Sequence, residues 1–118
     1  MSDLFEQLAK LRSAPQFLMS LANDGSDRLT LSQAAFFMLA ATADANGERP
    51  TRTNILNEGD FRKSTRNSYR QLLGKSRVYP NALGWLATSP NPDDEREQFL
   101  VLTKEGRAVI EKALSTLK

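Results

Sequence analysis

Residues 84–107 read GWLATSPNPDDEREQFLVLTKEGR, and this stretch decides the fold. Two strand-like runs, Trp85–Ser89 and Glu97–Leu102, flank Pro90-Asn91-Pro92-Asp93-Asp94-Glu95, a segment of turn-forming residues. The pattern predicts a β-hairpin with a polar tip. Thr103 follows at once, and its hydroxyl is placed to cap a last helix. The apolar stripe of that helix is Val109, Ile110, Ala113, Leu114 and Leu117, at helical spacing.

Working outward toward the N-terminus, Pro80 forbids a continuous helix through Lys75-Ser76-Arg77-Val78-Tyr79, so residues 74–84 are expected to form a loop or short turn. Asp60 is then read as the cap of a helix over about 61–73. At 100° per residue, Phe61, Thr65, Tyr69, Leu72 and Leu73 fall on its inward side. Lys63, Asn67 and Arg70 centre the opposite side, with Ser64, Arg66 and Gln71 flanking them, so the outward face is made of donors suited to bases and phosphates. Pro50-Thr51 opens a short helix to about Glu58, and Gly59 supplies the turn after it. Earlier still, Thr30 and Gln33 have the spacing of a capping box. They precede the run Ala34–Ala43, which is apolar nearly all round and predicts the central buried helix, stopped by Asn46-Gly47. Leu4, Phe5, Leu8, Leu11, Phe17, Leu18 and Leu21 continue the helical spacing across Pro15, as one kinked helix or two short ones.

Charge is distributed unevenly along this order. Between Phe61 and Pro92 stand six bases (Arg62, Lys63, Arg66, Arg70, Lys75, Arg77) and no acid, whereas the rest of the chain carries 10 bases and 14 acids. Helices that merely dissolve well interleave Glu with Lys four apart, and no acid follows Asp60 here to do so. A concentrated basic stretch in a near-neutral chain is what a phosphate-binding face requires.

The inventory narrows the chemistry further. At 118 residues the chain is expected to be a single domain with a real core. With no Cys and no His, disulfides, zinc fingers, thiolate nucleophiles and His bases are excluded, and no spacing of Ser with Lys or of paired carboxylates suggests a pocket. The expectation is a protein without catalytic role, metal or cofactor. Acids in Met1-Ser2-Asp3-Leu4-Phe5-Glu6 do not fit a signal peptide. The longest apolar run, the eight residues Ala34–Ala41, is too short for a bilayer that needs about 20, so the expected location is the cytoplasm.

The predicted order of helix, helix, short helix, turn, basic helix, two-stranded hairpin and helix is that of an α+β, mostly helical winged helix-turn-helix with a two-stranded β wing. Within it, Pro92, Asp94 and Arg96, followed by Leu102, Thr103 and Gly106, resemble the wing signature of MarR-type transcriptional regulators. That resemblance implies a recognition helix at about 61–73, a wing at about 85–102, and an Asp94 that orients Arg96 toward the minor groove or its phosphates. Two departures accompany it: residues 74–83 look like an insertion ahead of the wing, and the terminal helices that build the family's dimer and effector pocket look shortened.

The resulting expectation is sequence-specific binding of double-stranded DNA, with Lys63, Ser64, Arg66, Asn67, Arg70 and Gln71 on the recognition helix. Lys75, Arg77, Asp94 and Arg96 would contact DNA from the insertion and the wing. A homodimer through the N- and C-terminal helices is expected; a small-molecule effector stays open, with no residue that supports one. The competing readings are a winged-helix protein-interaction module and a plasmid or phage replication or partition accessory. Trp85 is expected to plug the core at the root of the wing.

Overall fold

The computed structural model describes residues 2–25, 29–63 and 65–117, with the backbone alone at 2, 3, 65 and 67. Its elements are α1 (Ser2–Lys10), α2 (Ala14–Asp24), α3 (Leu31–Ala45), α4 (Arg52–Glu58), α5 (Thr65–Ser68) continued by a 3₁₀ turn (Tyr69–Leu72), β1 (Leu86–Ser89), β2 (Phe99–Leu102) and α6 (Lys104–Leu114). Pro15 separates α1 from α2, and sits in the first turn of α2, where its missing N–H costs nothing.

Helix α3 begins where the capping box was read. Thr30 Oγ1 accepts the Gln33 N–H at 3.0 Å, and Gln33 Oε1 accepts the Thr30 N–H at 3.0 Å. Much of its apolar surface is buried: Phe36 and Phe37 are wholly covered, and Ala40 very nearly so, while Leu31 at its start is exposed. Burying each phenylalanine is worth about 1.5–3 kcal/mol, so α3 is the post around which the other elements assemble. Phe36 meets Phe61 and Tyr69 at ring-centroid distances of 5.8 and 5.2 Å, and Phe37 meets Trp85 at 4.9 Å. Trp85 is the core plug the sequence suggested.

Helix α4 carries its own capping box, with Thr51 Oγ1 accepting the Asn54 N–H at 3.2 Å and Asn54 Oδ1 accepting the Thr51 N–H at 3.0 Å. How α4 ends corrects the reading of Asp60. That residue has φ +52°, and it closes α4 instead of opening the next helix. The Phe61 N–H reaches back to the Leu56 carbonyl at 3.2 Å and the Asp60 N–H to that of Asn57 at 3.4 Å, the paired bonds of a Schellman ending. Phe61 is held to α4 in this way and lies outside the basic helix. The basic helix therefore starts at Thr65, four residues later than predicted, and ends at Leu72 in a 3₁₀ turn.

Strands β1 and β2 pair antiparallel, Leu86 opposite Leu102 and Ser89 opposite Phe99, each starting slightly inside the predicted runs. An isolated bridge from Thr51 to Phe99, with the Leu100 N–H donating to the Pro50 carbonyl at 2.8 Å, adds a third backbone segment to the sheet, which the sequence pattern did not show.

Helix α6 is set against this sheet by a close approach. Thr103 Oγ1 accepts the Gly106 N–H at 2.9 Å and donates to the Gly84 carbonyl at 2.7 Å, while the Thr103 N–H donates to the Trp85 carbonyl at 3.0 Å. A methyl group on Gly106 would lie 2.1 Å from that same Trp85 oxygen. The Leu-Thr-x-x-Gly spacing thus has a steric cause: the first turn of α6 rests directly on the peptide that roots the wing. Gly106→Ala is expected to cost about 1–3 kcal/mol through overpacking, lowering the thermal midpoint by roughly 5–15 °C in circular dichroism. Gly74→Ala, whose methyl meets nothing within 4 Å, should stay within about 0.5 kcal/mol. Equal losses in the two variants would contradict this account.

Candidate nucleic-acid interface

The basic helix is held to the core from beneath and at its far end. Tyr69 and Leu72 are buried against α3, and Gln33 Nε2 donates to the Ser68 carbonyl at 2.9 Å. At the C-terminal end the N–H groups of Leu83, Gly84 and Trp85 donate to the carbonyls of Gln71, Leu73 and Leu72, at 2.8, 2.8 and 2.9 Å. These bonds satisfy carbonyls that the end of a helix leaves open, and they pin both ends of the intervening loop. The loop folds on itself, with the Ser76 and Ala82 N–H groups both donating to the Tyr79 carbonyl, at 3.1 and 3.2 Å.

Above this scaffold, Arg62, Lys63, Arg66, Arg70, Lys75 and Arg77 are all exposed. None of them forms an ion pair among the described residues. The ion pairs present use bases from elsewhere: Arg52 with Glu97 at 3.7 Å, Arg107 with Asp44 at 3.9 Å and Lys112 with Asp24 at 3.0 Å. The acid-free stretch of sequence therefore becomes a surface of unneutralised cations on the basic helix, the turn before it and the loop after it.

The predicted site residues divide as follows. Lys63, Arg66, Arg70, Lys75 and Arg77 lie exposed on this surface. Ser64 lies outside the described residues, and Asn67 is placed by its backbone within α5. Gln71 is half-buried, and its Nε2 donates to the Asn81 carbonyl at 2.9 Å, so its amide supports the loop. Asp94 and Arg96 are exposed at the wing tip, where Asp94 Oδ1 accepts the Arg96 backbone N–H at 3.0 Å. The carboxylate shapes the turn that carries Arg96, and no ion pair between their side chains is present.

Two wing residues escaped the sequence reading. Asn91 Nδ2 donates to the Glu97 carbonyl at 2.9 Å, closing the tip. Glu97 Oε1 accepts the Thr53 hydroxyl at 2.6 Å and faces Arg52, which ties the tip end of the wing to the first turn of α4. The Glu97 contacts join residues more than forty positions apart, and no local pattern announces them.

On the opposite side, α1 exposes Leu4, Phe5 and Leu8, with Leu11 just beyond its end. A groove of about 1010 Å³ opens beside it between α2, the end of α3 and α6, lined by Leu18, Met38, Ile110 and Leu114. The radius of gyration is 15.1 Å, against about 13.5 Å for a compact chain of this length. Among the described residues no helix is long and apolar enough to cross a membrane, and no cluster of His, Cys, Asp or Glu could hold a metal ion.

No protein-family model matches the chain, and no curated protein matches it in sequence. Its fold does match solved structures. A transcriptional regulator from Thermotoga maritima aligns over 97% of this chain and 72% of its own, at 22% identity and a TM-score of 0.63. The YusO protein of Bacillus subtilis aligns over 98% and 74%, at 24% identity and 0.59. A chain described as a MarR-like transcription regulator, from Bacillus cereus, aligns over 98% and 77%, at 16% identity and 0.54. The architecture is the α+β winged helix of MarR-type regulators.

Replacing Gln71 by Ala should loosen the loop without disturbing the sheet. Loss of one hydrogen bond of about 1 kcal/mol corresponds to amide exchange faster by roughly fivefold at Ser76 and Ala82. Exchange in β1 and β2 should be unchanged, and unaltered exchange at Ser76 and Ala82 would contradict the role given to Gln71.

Proposed function

We propose that the chain binds double-stranded DNA sequence-specifically and regulates transcription, with the segment Thr65–Leu72 in the major groove and the wing on the backbone or minor groove. The observation that carries this reading is the set of six exposed bases, none in an ion pair among the described residues, on the basic helix of a winged helix, the turn before it and the loop after it. Like charges held together with no internal partner destabilise a fold until a polyanion neutralises them, and duplex DNA supplies regularly spaced phosphates. Lys63, Ser64, Arg66, Asn67 and Arg70 address the groove, with Gln71 at its edge. Lys75 and Arg77 meet phosphates, and Arg96 reaches out from the wing on the turn that Asp94 shapes. The reading assigns no catalytic chemistry and no cofactor. The regulators that share the fold support the regulatory half of the proposal.

Affinity for duplex should fall steeply with salt. If six bases meet phosphates, log K against log salt has a slope of roughly −5, at about −0.9 per phosphate. Arg70→Ala should erode discrimination between sequences by about 1–3 kcal/mol, while Lys75→Ala weakens all sequences alike, since base edges specify and phosphates only position. Fluorescence anisotropy with specific and random duplexes checks both. Equal binding to heparin and duplex would favour an acidic protein partner instead, and a flat salt response would remove the nucleic-acid reading.

The apolar side chains of α1 and the groove beside α6 further support a homodimer, because a two-fold axis lets each copy set α1 into the other's groove. Two recognition segments would then face half-sites about one helical turn apart. Sedimentation equilibrium should show a dimer at about 10–50 μM protein, and Leu8→Glu should convert it to monomer by placing a charge in an interface expected to bury about 1,200–2,000 Å². A wild-type monomer that protects a single half-site would contradict the dimer and leave DNA binding standing.

A further inference from the structure

Among the described residues Gln33 is the buried polar side chain of the core, only 6% exposed, and its amide oxygen and nitrogen each make a hydrogen bond. Its Oε1 serves α3, accepting the Thr30 N–H, while its Nε2 leaves α3 and donates at 2.9 Å to the carbonyl of Ser68, 35 positions along the chain. Ser68 is the last residue of α5, where the basic helix tightens into its 3₁₀ turn, and it lies midway between Arg66 and Arg70.

The choice of side chain carries the argument. A capping box works equally with Glu or Gln at this position, because only an acceptor is needed to close it. The second bond needs a donor, which an ionised Glu lacks. Glutamine is the residue of that length that caps α3 and grips Ser68 at once. Removing either partner of a buried hydrogen bond leaves the other unsatisfied, so this bond opposes both sliding and rotation of the basic helix over Phe36 of α3, on which Tyr69 packs.

We propose that Gln33 is a positioning residue for DNA recognition: through the Ser68 carbonyl it sets the register at which Arg66 and Arg70 are presented, without touching the nucleic acid. The inference rests on the reading of that helix as the DNA-contacting element. It predicts that discrimination between sequences, more than affinity for duplex in general, depends on the Gln33 amide.

The test uses the full chain, a duplex recovered by wild-type selection from a random library, and poly(dI-dC) as the non-specific competitor. Gln33→Met should lower the ratio of specific to non-specific affinity by about tenfold at every pH, while salt-dependent binding to poly(dI-dC) persists. Gln33→Glu should behave like it at pH 8. It should recover discrimination relative to wild type as the pH falls to about 5, because a buried carboxyl protonates early and then donates to Ser68. Thr30→Ala, which removes the cap and leaves the Ser68 bond, should lower the thermal midpoint with the ratio unchanged. Wild-type discrimination in a folded Gln33→Met, or a ratio that merely follows stability across the three variants, would overturn the inference. A wild-type chain that shows no salt-dependent duplex binding would instead sink the DNA reading, and this inference with it.

Discussion

The peptide unit of Trp85 is where the parts of this molecule meet. Its N–H closes the basic helix at Leu72, its carbonyl takes the Thr103 N–H, and the first turn of α6 lies so near that only a glycine fits at position 106. Its indole packs on Phe37 of the central helix. One residue thus fixes the end of the basic helix, the start of the wing, the direction of α6 and the attachment of all three to α3. The basic helix and the wing cannot shift independently, because both are measured from the same peptide.

Rigidity of that kind matters for what the surface presents. Eight residues of helix, half of them in a 3₁₀ turn, would not hold a shape alone, since short helices are marginal in water. Tertiary bonds supply what length does not: Gln33 beneath, the 83–85 amides at the end, and Phe61 locked to α4 at the start. The cations above gain their orientation from a frame that places three other bases, Arg52, Arg107 and Lys112, in ion pairs. The concentration of exposed bases with no acid between Phe61 and Pro92, and no ion pair to any of them among the described residues, gives the face its electrostatic character.

Much of this was legible because it is local. Thr30 with Gln33, Thr51 at the head of α4, Thr103 before α6, and the Pro- and Asp-rich wing tip each declare themselves within a few residues. The buried run Ala34–Ala43 and the inward Tyr69 follow from periodicity alone. What escaped the sequence is non-local or depends on dihedrals. Asp60 reads as an N-cap, since aspartate is common there, yet it ends α4 in the left-handed conformation that a short polar side chain tolerates. This displaces the start of the basic helix by a turn. Likewise Gln71 sits near the outward face by angle, but the returning loop places the Asn81 carbonyl within its reach. The second hydrogen bond of Gln33 and the tie from Glu97 to Thr53 need the tertiary fold before they can be seen.

The central claim is that this frame presents its cations to one particular DNA sequence. A mobility-shift assay of the chain against a library of genomic fragments, at about 150 mM salt to suppress non-specific contacts, addresses it most directly. The account predicts that a few fragments are retained and that they share one motif, repeated in inverted orientation about one helical turn apart. Retention in proportion to fragment length with no common motif, or no retention at any salt concentration, would contradict it.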